Sequence, residues 1–518
     1  MTILSSSIKT TILCTLLTAA APPGLMAVDY DVDTGTDGNK LWSAPSTWKV
    51  NGVEPVTIPN GENDNVTVGF HATGNIGLQL DLAEVELAKF LVTGTSTTTR
   101  SILGYNVAQA PMLDQKLTIG TLEHKGTGNL SFRNSVANAR LSVEVETLII
   151  NSGAAVEIGN TNASASLSLE AFEVTRSSTI AGTLRFNNIK ERAAGENILY
   201  LKDLDLSGDI ALGGRGNTGG VLNVTSLKGT TSGNIHVYRS ETHGGTSGTL
   251  EINSEETGGT TYSGVIREYF SDSVETGVPE GTTVVLDVRK LGIGTQIFNR
   301  AAGQLYTGGT AIEGGVLAVD NTTGSGLGTG RVMVSGTGTL AGKGRLELKA
   351  QPIEIKSGGT LAPGAHLETG VATLTISGAQ TPTGPLLSLE EGSTLFFRLE
   401  GGNSDRIAFT GWHEGGLQLA AQGITIDASG VNEGRFNLLS FDAIGSDELM
   451  ALAAGFNAQI LGSGFDGWQG TFGYDTLGGE NVLWLEVSVI PEPGSAVLTL
   501  LGLGAIGWAA RLRKQKKA

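Results

Sequence analysis

The sequence is poor in cysteine, in aromatic residues and in charge, and each shortage excludes a class of protein. Its 518 residues include one cysteine, Cys14, so the rest of the chain can form neither a disulfide framework nor a cysteine-ligated metal site. Proline occupies 13 positions and glycine does not recur at every third place, which excludes a collagen-like chain. Hydrophobic residues make up 39%, and Val, Ile, Leu and Thr recur in alternating runs, which excludes wholesale disorder.

Glycine is abundant, at 76 positions, and its combination with threonine predicts an all-β fold of short strands and tight turns. Strand-like segments such as Leu141–Ile150 and Val482–Val489 are bounded by Gly, Asn or Ser. Helical patterns are few. One helix is predicted at Asp447–Ala454 with Ser446 as its N-cap, and a second at Ile189–Ala194.

The charge is unevenly distributed along the chain. The formal net charge is −17, but residues 28–490 carry 28 basic and 50 acidic side chains, a net charge of −22. Because such a body repels nucleic acid and anionic lipid, no nucleic-acid partner is predicted.

Residues 1–27 have the three parts of a secretory signal peptide. Lys9 provides a weakly basic start, Ile12–Ala21 is a short apolar run, and the Pro-Pro-Gly that follows breaks any helix. A signal peptidase is therefore predicted to cut between Ala27 and Val28.

Residues 491–518 form a second targeting segment. Pro491, Glu492 and Pro493 precede the apolar run Ser495–Ala510, which is slightly short of the roughly 20 residues that span a bilayer. A basic tail follows, formed by Arg511, Arg513, Lys514, Lys516 and Lys517. Because basic flanks stay cytoplasmic, this transmembrane helix would leave the acidic body outside the cell.

This segment resembles the PEP-CTERM sorting signal of Gram-negative bacteria in all three of its parts: VIPEPGSA, LLGLGAIGWAA and RLRKQKK. The resemblance implies recognition and processing by an exosortase, in bacteria that make an exopolysaccharide matrix. It implies a chain that is anchored in the inner membrane transiently and then reaches the outer surface or the extracellular matrix.

The body between these two ends contains a repeat. The triplet Gly-Thr-Leu occurs five times, and two series of leucines are present: Leu184, Leu206, Leu227 and Leu250, then Leu317, Leu340 and Leu361. Their spacing of about 21–23 residues suits one coil of a parallel β-helix, in which each leucine stacks on the equivalent residue of the previous coil. Of the threonines in the triplets, only Thr339 and Thr360 lie one period apart, so no regular threonine column is predicted.

The segments Tyr306–Leu346 and Ile353–Gly364 resemble autotransporter-associated β-strand repeats. That family implies a right-handed parallel β-helix of the passenger type, displayed on a cell surface. The start of the body, with Trp42 and Trp48, also resembles the start of such passengers.

These patterns predict five regions. Residues 1–27 are the signal peptide, 28–75 an N-terminal cap, and 76–370 the parallel β-helix. Residues 371–490, where the period breaks down and aromatic residues gather, form a β-rich C-terminal cap. Residues 491–518 are the sorting signal with its hydrophobic helix.

Motifs for enzyme chemistry are scarce. Gly214, Gly216 and Gly219 match a dinucleotide-binding pattern by letters only, since a strand-like segment follows them. The aspartates near residue 30 lack the spacing of a calcium loop. The acidic clusters are interpreted as solvated faces: Glu251, Glu255 and Glu256, then Glu390 and Glu391. No catalytic residue, cofactor or metal site is predicted.

The sequence thus predicts an exported structural or adhesive solenoid protein of the cell surface or exopolysaccharide matrix, with glycans as a possible partner class. The alternative is a carbohydrate-active enzyme, a polysaccharide lyase or hydrolase, on the same fold. Two carboxylates about 5–9 Å apart in a groove would favour the enzyme.

Overall fold

Strands in which every second side chain is buried account for most of the described chain. The computed structural model describes residues 27–490, apart from 33–37, 70–75, 105–112, 135–138, 160–168, 188–196, 214–219, 238, 241–242, 245–246, 256–257, 269–283, 350, 368, 379–383 and 478–479. In Ser247–Ser254 the buried and half-buried residues alternate without a break. This alternation follows from the two-residue period of a strand, so the pattern of apolar residues decides which face lies on the core.

The strands are short and are joined by turns, and a single α-helix, α1 (Ser446–Asn457), is present among the described residues. In chain order the strands are β1 (Asp29–Val32), β2 (Gly38–Leu41), β3 (Trp48–Lys49), β4 (Gly61–Gly69), β5 (Ile76–Leu80), β6 (Glu84–Thr93), β7 (Thr95–Gly104), β8 (Leu113–His124), β9 (Thr127–Asn134), β10 (Ala139–Ile150), β11 (Ala154–Gly159), β12 (Ala171–Ile180), β13 (Thr183–Asn187), β14 (Asn197–Leu201), β15 (Leu204–Leu206), β16 (Asp209–Leu212), β17 (Gly220–Val224), β18 (Leu227–Gly229), β19 (Asn234–Val237), β20 (Arg239–Ser240), β21 (His243–Gly244), β22 (Ser247–Ser254), β23 (Gly259–Tyr262), β24 (Val265–Arg267), β25 (Val285–Gly292), β26 (Thr295–Phe298), β27 (Thr310–Ile312), β28 (Val316–Val319), β29 (Val332–Val334), β30 (Thr339–Gly342), β31 (Arg345–Glu347), β32 (Ile353–Ile355), β33 (Thr360–Pro363), β34 (Thr373–Ser377), β35 (Leu387–Leu389), β36 (Thr394–Glu400), β37 (Asn403–Ser404), β38 (Arg406–Thr410), β39 (Leu417–Leu419), β40 (Thr425–Ser429), β41 (Gly434–Phe441), β42 (Ile460–Leu461), β43 (Trp468–Leu477) and β44 (Glu480–Val489).

The strands assemble into long sheets whose neighbours are mostly parallel. The first sheet begins as one ladder, β1–β4–β6–β8–β10–β12. It then divides, because β14 pairs with the first half of β12 and β15 with the second half. The first branch runs through β14–β17–β22–β25–β27–β29–β32–β35–β39 and the second through β15–β18–β23–β26–β28–β30–β33–β36–β40–β42.

The second sheet is the parallel ladder β2–β5–β7–β9–β11–β13–β16–β19–β24. The chain alternates between the two sheets, so β9 connects β8 with β10 and β11 connects β10 with β12. In the third sheet, β31–β34–β38–β41 are parallel, and β44 and β43 close it in antiparallel fashion. The predicted all-β class is confirmed, and the long parallel sheets are consistent with a β-helix.

The turn between β14 and β15 shows how the first sheet divides. Asp203 occupies it with a φ of 46°, in the left-handed region that Asp tolerates better than most side chains. Its carboxylate accepts hydrogen bonds from Thr225 Oγ1 at 3.3 Å and Ser226 Oγ at 3.1 Å, one repeat further along the chain. Polar turn residues therefore stack on each other as the strands do.

The core consists of stacked apolar columns. Leu317, Leu340, Leu361, Leu395 and Ile426 are successive register partners in the second branch, and each is at most 1% exposed. Each of these side chains is covered by its partners on the two neighbouring strands, and full burial of such a side chain stabilises the fold by about 1.5–3 kcal/mol. The predicted leucine stack at residues 317–361 is confirmed.

Close backbone packing fixes some of the glycines. A Cβ atom on Gly330 would overlap the carbonyl oxygen of Gly308. Gly342 has a φ of 133°, and a Cβ there would collide with the oxygen of Val319, its register partner. Glycine at such positions lets one repeat lie directly on the next.

Different structural features cover the N-terminal and C-terminal ends of the stacked strands. At the N-terminal end, β3 pairs antiparallel with β1, and the rings of Trp42 and Trp48 meet edge-on with centroids 4.8 Å apart. Both indoles are buried and donate hydrogen bonds to backbone oxygens, Trp42 to Pro59 and Trp48 to Trp42. At the C-terminal end, α1 packs against the β43–β44 hairpin. These devices lie within the predicted caps, whose boundaries stay predictions.

The predicted helix is present but differs at both ends. It extends to Asn457 and its N-cap residue is Gly445, so Ser446 is the first helical residue and gives no side-chain cap. Asp447 and Glu448 lie in the first turn as predicted, where their negative charges interact favourably with the positive end of the helix dipole. The second helix, predicted at Ile189–Ala194, lies outside the described residues.

The prediction that the first leucine series forms one column is wrong. Leu184 lies in the second sheet, opposite Val156 and Ile210, whereas Leu206 lies in the first sheet. Leu250 stacks on Leu222 and not on Leu227. The physical reason is that loop lengths vary between strands, so an equal spacing along the chain does not place residues at equal positions.

Parallel pairing continues beyond residue 370, although the regular leucine period ends there as predicted. Leu361 pairs with Leu395, and Leu395 with Ile426, and both intervals are longer than the one from Leu340 to Leu361. Longer loops lengthen the repeat without breaking the ladder, because loop closure costs little more as a loop grows.

Candidate functional site

The predicted signal-cleavage position lies where the described fold begins. Ala27 is exposed, while Val28 is half-buried and packs against the core. The carbonyl oxygen of Val28 accepts a hydrogen bond from the Asn65 amide at 2.9 Å, one repeat later. The cleavage itself stays a prediction.

The sorting residues Pro491, Glu492 and Pro493 lie outside the described residues, as does the basic tail of Arg511, Arg513, Lys514, Lys516 and Lys517. Within residues 27–490, as far as they are described, no helix combines the length and apolar character needed to cross a membrane. The predicted membrane helix at residues 495–510 is therefore not tested.

A groove of about 730 Å³ lies on the first sheet, from β6 to the start of the first branch at β14. Its described lining comes from five consecutive strands, β6, β8, β10, β12 and β14, and from Ala83 and Glu170, which precede β6 and β12. The lining also includes apolar side chains, of which Phe172 is buried: Ala83, Ala171, Phe172 and Ile198. It is thus a surface that the stacking of strands creates.

One column of outward positions forms the middle of the groove. Glu84, Lys116, Ser142 and Ala171 are successive register partners, so neighbours are separated by one strand spacing of about 4.8 Å. The residues that follow them on their strands point into the core: Val85, Leu117, Val143 and Phe172.

A second column runs beside the first and consists of Glu86, Thr118, Glu144, Glu173 and Tyr200. Glu173 and Tyr200 are exposed and line the groove, Tyr200 with 37% of its surface open. Glu144 and Glu173 face each other across one strand spacing, which places two carboxylates of one column side by side.

Negative charge exceeds positive charge along the groove. Among the described lining residues, Glu84, Asp114, Glu170 and Glu173 face the one ammonium of Lys116, which gives these residues a net charge of −3. Lys116 Nζ lies 2.7 Å from Glu144, and this hydrogen bond raises the pKa of Lys116, with further contributions from Glu84 and Glu86. Beside the groove, Arg140 lies 3.7 Å from Asp114. Both cations therefore already face carboxylates.

The acidic clusters singled out in the sequence do not form a groove of this kind. Glu251 pairs with Arg289, which also reaches Glu313 at 3.0 Å, and Glu390 pairs with Lys356. Glu255 and Glu391 are exposed, and Glu256 lies outside the described residues. These carboxylates belong to ion pairs or to the solvated surface.

A threonine column that the sequence did not predict runs along the second branch. Thr339, Thr360, Thr394 and Thr425 are successive register partners, and all four are half-buried. The sequence spacing concealed this column, because the steps to Thr394 and to Thr425 are longer than the leucine period.

Two buried histidines lie inside the stacks. Burial lowers the pKa of His124 and of His236 to about 4. Asn234 Nδ2 donates a hydrogen bond to His236 Nδ1 at 3.1 Å, which suits a neutral ring whose proton is on Nε2. Neither histidine belongs to a cluster of metal ligands, because no group of three or more His, Cys, Asp or Glu residues suited to a metal ion occurs among the described residues.

Residues 489–514 match the family model of the PEP-CTERM protein-sorting motif. The match covers the predicted motif Pro491-Glu492-Pro493, the apolar run and part of the basic tail. The match indicates an exported protein of a Gram-negative bacterium, which an exosortase sorts at the membrane. No curated protein matches the chain.

Sequence reasoning missed the groove completely. Its lining residues follow each other at unequal intervals along the chain, from Glu84 to Lys116, Ser142 and Ala171. No motif joins them, because the register and not the sequence interval brings them together. The alternating acidic and apolar pattern of Glu84–Leu87 and Ala171–Val174 was the available signal, but it also describes any solvated strand face.

Proposed function

We propose that this protein is an exported right-handed β-solenoid that serves as a structural or adhesive component of the bacterial surface or exopolysaccharide matrix. Signal peptidase would release it after Ala27, leaving Val28 as the first residue. Exosortase would process it at the Pro491-Glu492-Pro493 motif, after the terminal hydrophobic helix had held it in the inner membrane.

The observation that carries this proposal is the in-register stacking of strands along the whole described body. Successive passages of the chain pair in parallel from β1 to β42, which is the construction of a stiff rod. The resemblance of residues 306–346 to autotransporter-associated repeats agrees with display on a surface. The acidic outer face, with its hydroxyl and amide groups, offers hydrogen bonds to glycans.

The location can be tested with the full chain in an exosortase-containing Gram-negative host. We expect the mature protein in the surface or matrix fraction, with Val28 at its N-terminus by Edman sequencing. Accumulation of a full-size chain in the cytoplasm, with Met1 intact, would contradict the proposal.

A polysaccharide-cleaving enzyme is the second candidate, and one observation favours it. Glu144 and Glu173 are neighbours in one column beside a groove, at a strand spacing close to the roughly 5–5.5 Å between the carboxyl groups of retaining glycosidases. The ion pair of Glu144 with Lys116 opposes it, because that carboxylate is already engaged. We expect no new reducing or unsaturated ends when the protein is incubated with matrix polysaccharides, and their appearance, with loss in Glu173→Gln, would establish the enzyme instead.

A further inference from the structure

The groove on the first sheet has the dimensions of a ligand site. Its volume of about 730 Å³ lies within the range of roughly 300–1,000 Å³ that small-ligand sites occupy. It is lined by side chains from five strands, so the sheet itself holds the lining residues in fixed positions. A ligand that runs along the columns would cross the strands one after another.

The charge of the groove selects among ligands. The described lining holds four carboxylates and one ammonium, and its two ion pairs are Lys116 with Glu144 and Arg140 with Asp114. An anionic polymer such as a uronate would meet mainly like charge, and the body around the groove is acidic as well. A ligand with positive charges would gain charge-assisted hydrogen bonds that a neutral ligand cannot make.

The second column adds an aromatic platform next to the acids. Tyr200 is the register partner of Glu173, and Ile198 and Ala171 provide apolar surface close by. An aromatic ring with a polar edge packs against the C–H face of a sugar, while an ammonium group near the ring is attracted to its π face. The combination of a ring, an apolar floor and a carboxylate suits an amino sugar.

The carboxylates also recur at a fixed step. Register partners are separated by about 4.8 Å, so Glu144 and Glu173 lie one step apart and Glu86 lies two steps before Glu144. A polymer that repeats one cationic group per sugar would carry its charges along this column, in which Glu86 and Glu173 lie outside the Lys116–Glu144 ion pair. Such repeated contacts raise the overall affinity far above that of one sugar.

We infer that this groove binds a polysaccharide bearing free amino groups, that is, a partly or fully de-N-acetylated hexosamine polymer. The inference rests on the proposed function, since it supplies the glycan that a matrix protein of this kind would hold. Lys116 and Arg140 hold the side chains of Glu144 and Asp114 in place, and Glu84 and Glu173, together with Tyr200, contact the polymer.

The test uses the full chain recovered from producing cells and oligomers of glucosamine as the probe. Calorimetry should detect binding that weakens as salt is added, because the contacts are ionic. We expect oligomers of N-acetylglucosamine of the same length to bind about tenfold more weakly, and oligogalacturonate not to bind.

Two variants locate the site. Glu84→Gln with Glu173→Gln should weaken glucosamine-oligomer binding about tenfold, whereas the matched pair Glu400→Gln with Glu433→Gln, exposed carboxylates elsewhere, should leave it unchanged. Tyr200→Ala should weaken binding as well, Tyr200→Phe should retain it, and Tyr474→Ala, at a tyrosine of similar exposure (41%), is the control. Unchanged thermal unfolding of each variant shows that the fold is intact.

Equal binding of oligogalacturonate, or equal binding by the Glu84/Glu173 variant and its control, would overturn the inference. So would a lysine oligopeptide that binds as tightly as the glucosamine oligomer of equal charge, because the groove would then select charge and not sugar. An exported, correctly processed chain that fails to bind contradicts the groove alone. A chain that binds but stays in the cytoplasm contradicts the proposed function.

Discussion

Neighbouring residues on one strand have opposite roles, and Thr339 and Leu340 show this most simply. Leu340 is fully buried between Leu317 and Leu361, whereas Thr339 is half-buried on the outer face. We expect Leu340→Asp to lower the free energy of unfolding by several kcal/mol, since it places an unpaired carboxylate in an apolar column. Thr339→Asp should cost under about 1 kcal/mol, as surface changes usually do.

Limited proteolysis and chemical unfolding measure this difference. Leu340→Asp should open cleavage sites in residues 317–361, and Thr339→Asp should leave the digestion pattern of the unmodified protein. Equal tolerance at the two positions would mean that the register of this column is wrong.

The buried histidines predict how stability depends on acid. In the folded chain the pKa values of His124 and His236 are lowered to about 4 by burial, from the ordinary value of 6.5. Between these two values the unfolded chain binds protons that the folded chain does not, so stability is lost as the pH falls from about 6.5 to 4.

In this pH range the slope of the unfolding free energy against pH reflects the protons that the unfolded chain binds in excess. Replacing both histidines by glutamine should therefore reduce that slope by the contribution of about two protons. Phe132→Leu, at a buried residue that carries no titratable proton, is the control and should change stability without changing the slope. Unfolding midpoints in urea between pH 4 and 7 give the measurement. A slope that is identical in the double variant and the unmodified chain would show that neither ring is held neutral by the fold.

At the scale of strands and repeats, a whole repeat should be removable where the repeats are regular. Leu317 and Ala318 have Leu340 and Ala341 as register partners, so deleting residues 318–340 joins Leu317 directly to Ala341 in the same register. The remaining neighbours then present the same columns to each other, with one interface lost. Solenoid stability is roughly a sum of repeat and interface contributions, so we expect a folded chain with a lower unfolding midpoint.

Deleting residues 318–328, about half a repeat, is the matched control. We expect this deletion to prevent folding. It would bring outward and inward positions into the same column and bury polar side chains. Circular dichroism and protease resistance distinguish the two deletions. If both deletions unfold the chain alike, the repeats do not stack as independent units.

The way in which the strands pair also explains which features of the structure the sequence could predict. Alternation and turn residues predicted the strands, and the regular leucine period placed Leu317, Leu340 and Leu361 correctly. In the N-terminal half the repeats vary in length, since Val66 pairs with Phe90 but Val85 pairs with the more distant Leu117. A register that depends on loops of unequal length cannot be read from intervals, and for this reason neither the groove nor the threonine column was predicted.

At the scale of the whole molecule, the matched sorting motif combines a targeting segment with a folded acidic body. Residues 489–514 overlap the end of β44 at Val489, so the sorting segment follows the last strand almost directly. A processing enzyme would therefore act close to the C-terminal hairpin. The apolar run would hold the precursor in the membrane until that step, with the basic tail on the cytoplasmic side.

We expect replacement of Pro491, Glu492 and Pro493 by alanine to leave an unprocessed precursor in the inner membrane. The prolines and the acid precede the apolar run, so their loss would remove the proposed recognition site and keep the proposed anchor. Replacing Glu486 by alanine, an exposed acid on β44 before the matched residues 489–514, is the control and should be processed normally. Immunoblots of membrane, surface and matrix fractions report both size and location. A triple variant that reaches the surface at normal size and amount would show that export of this protein does not depend on the motif.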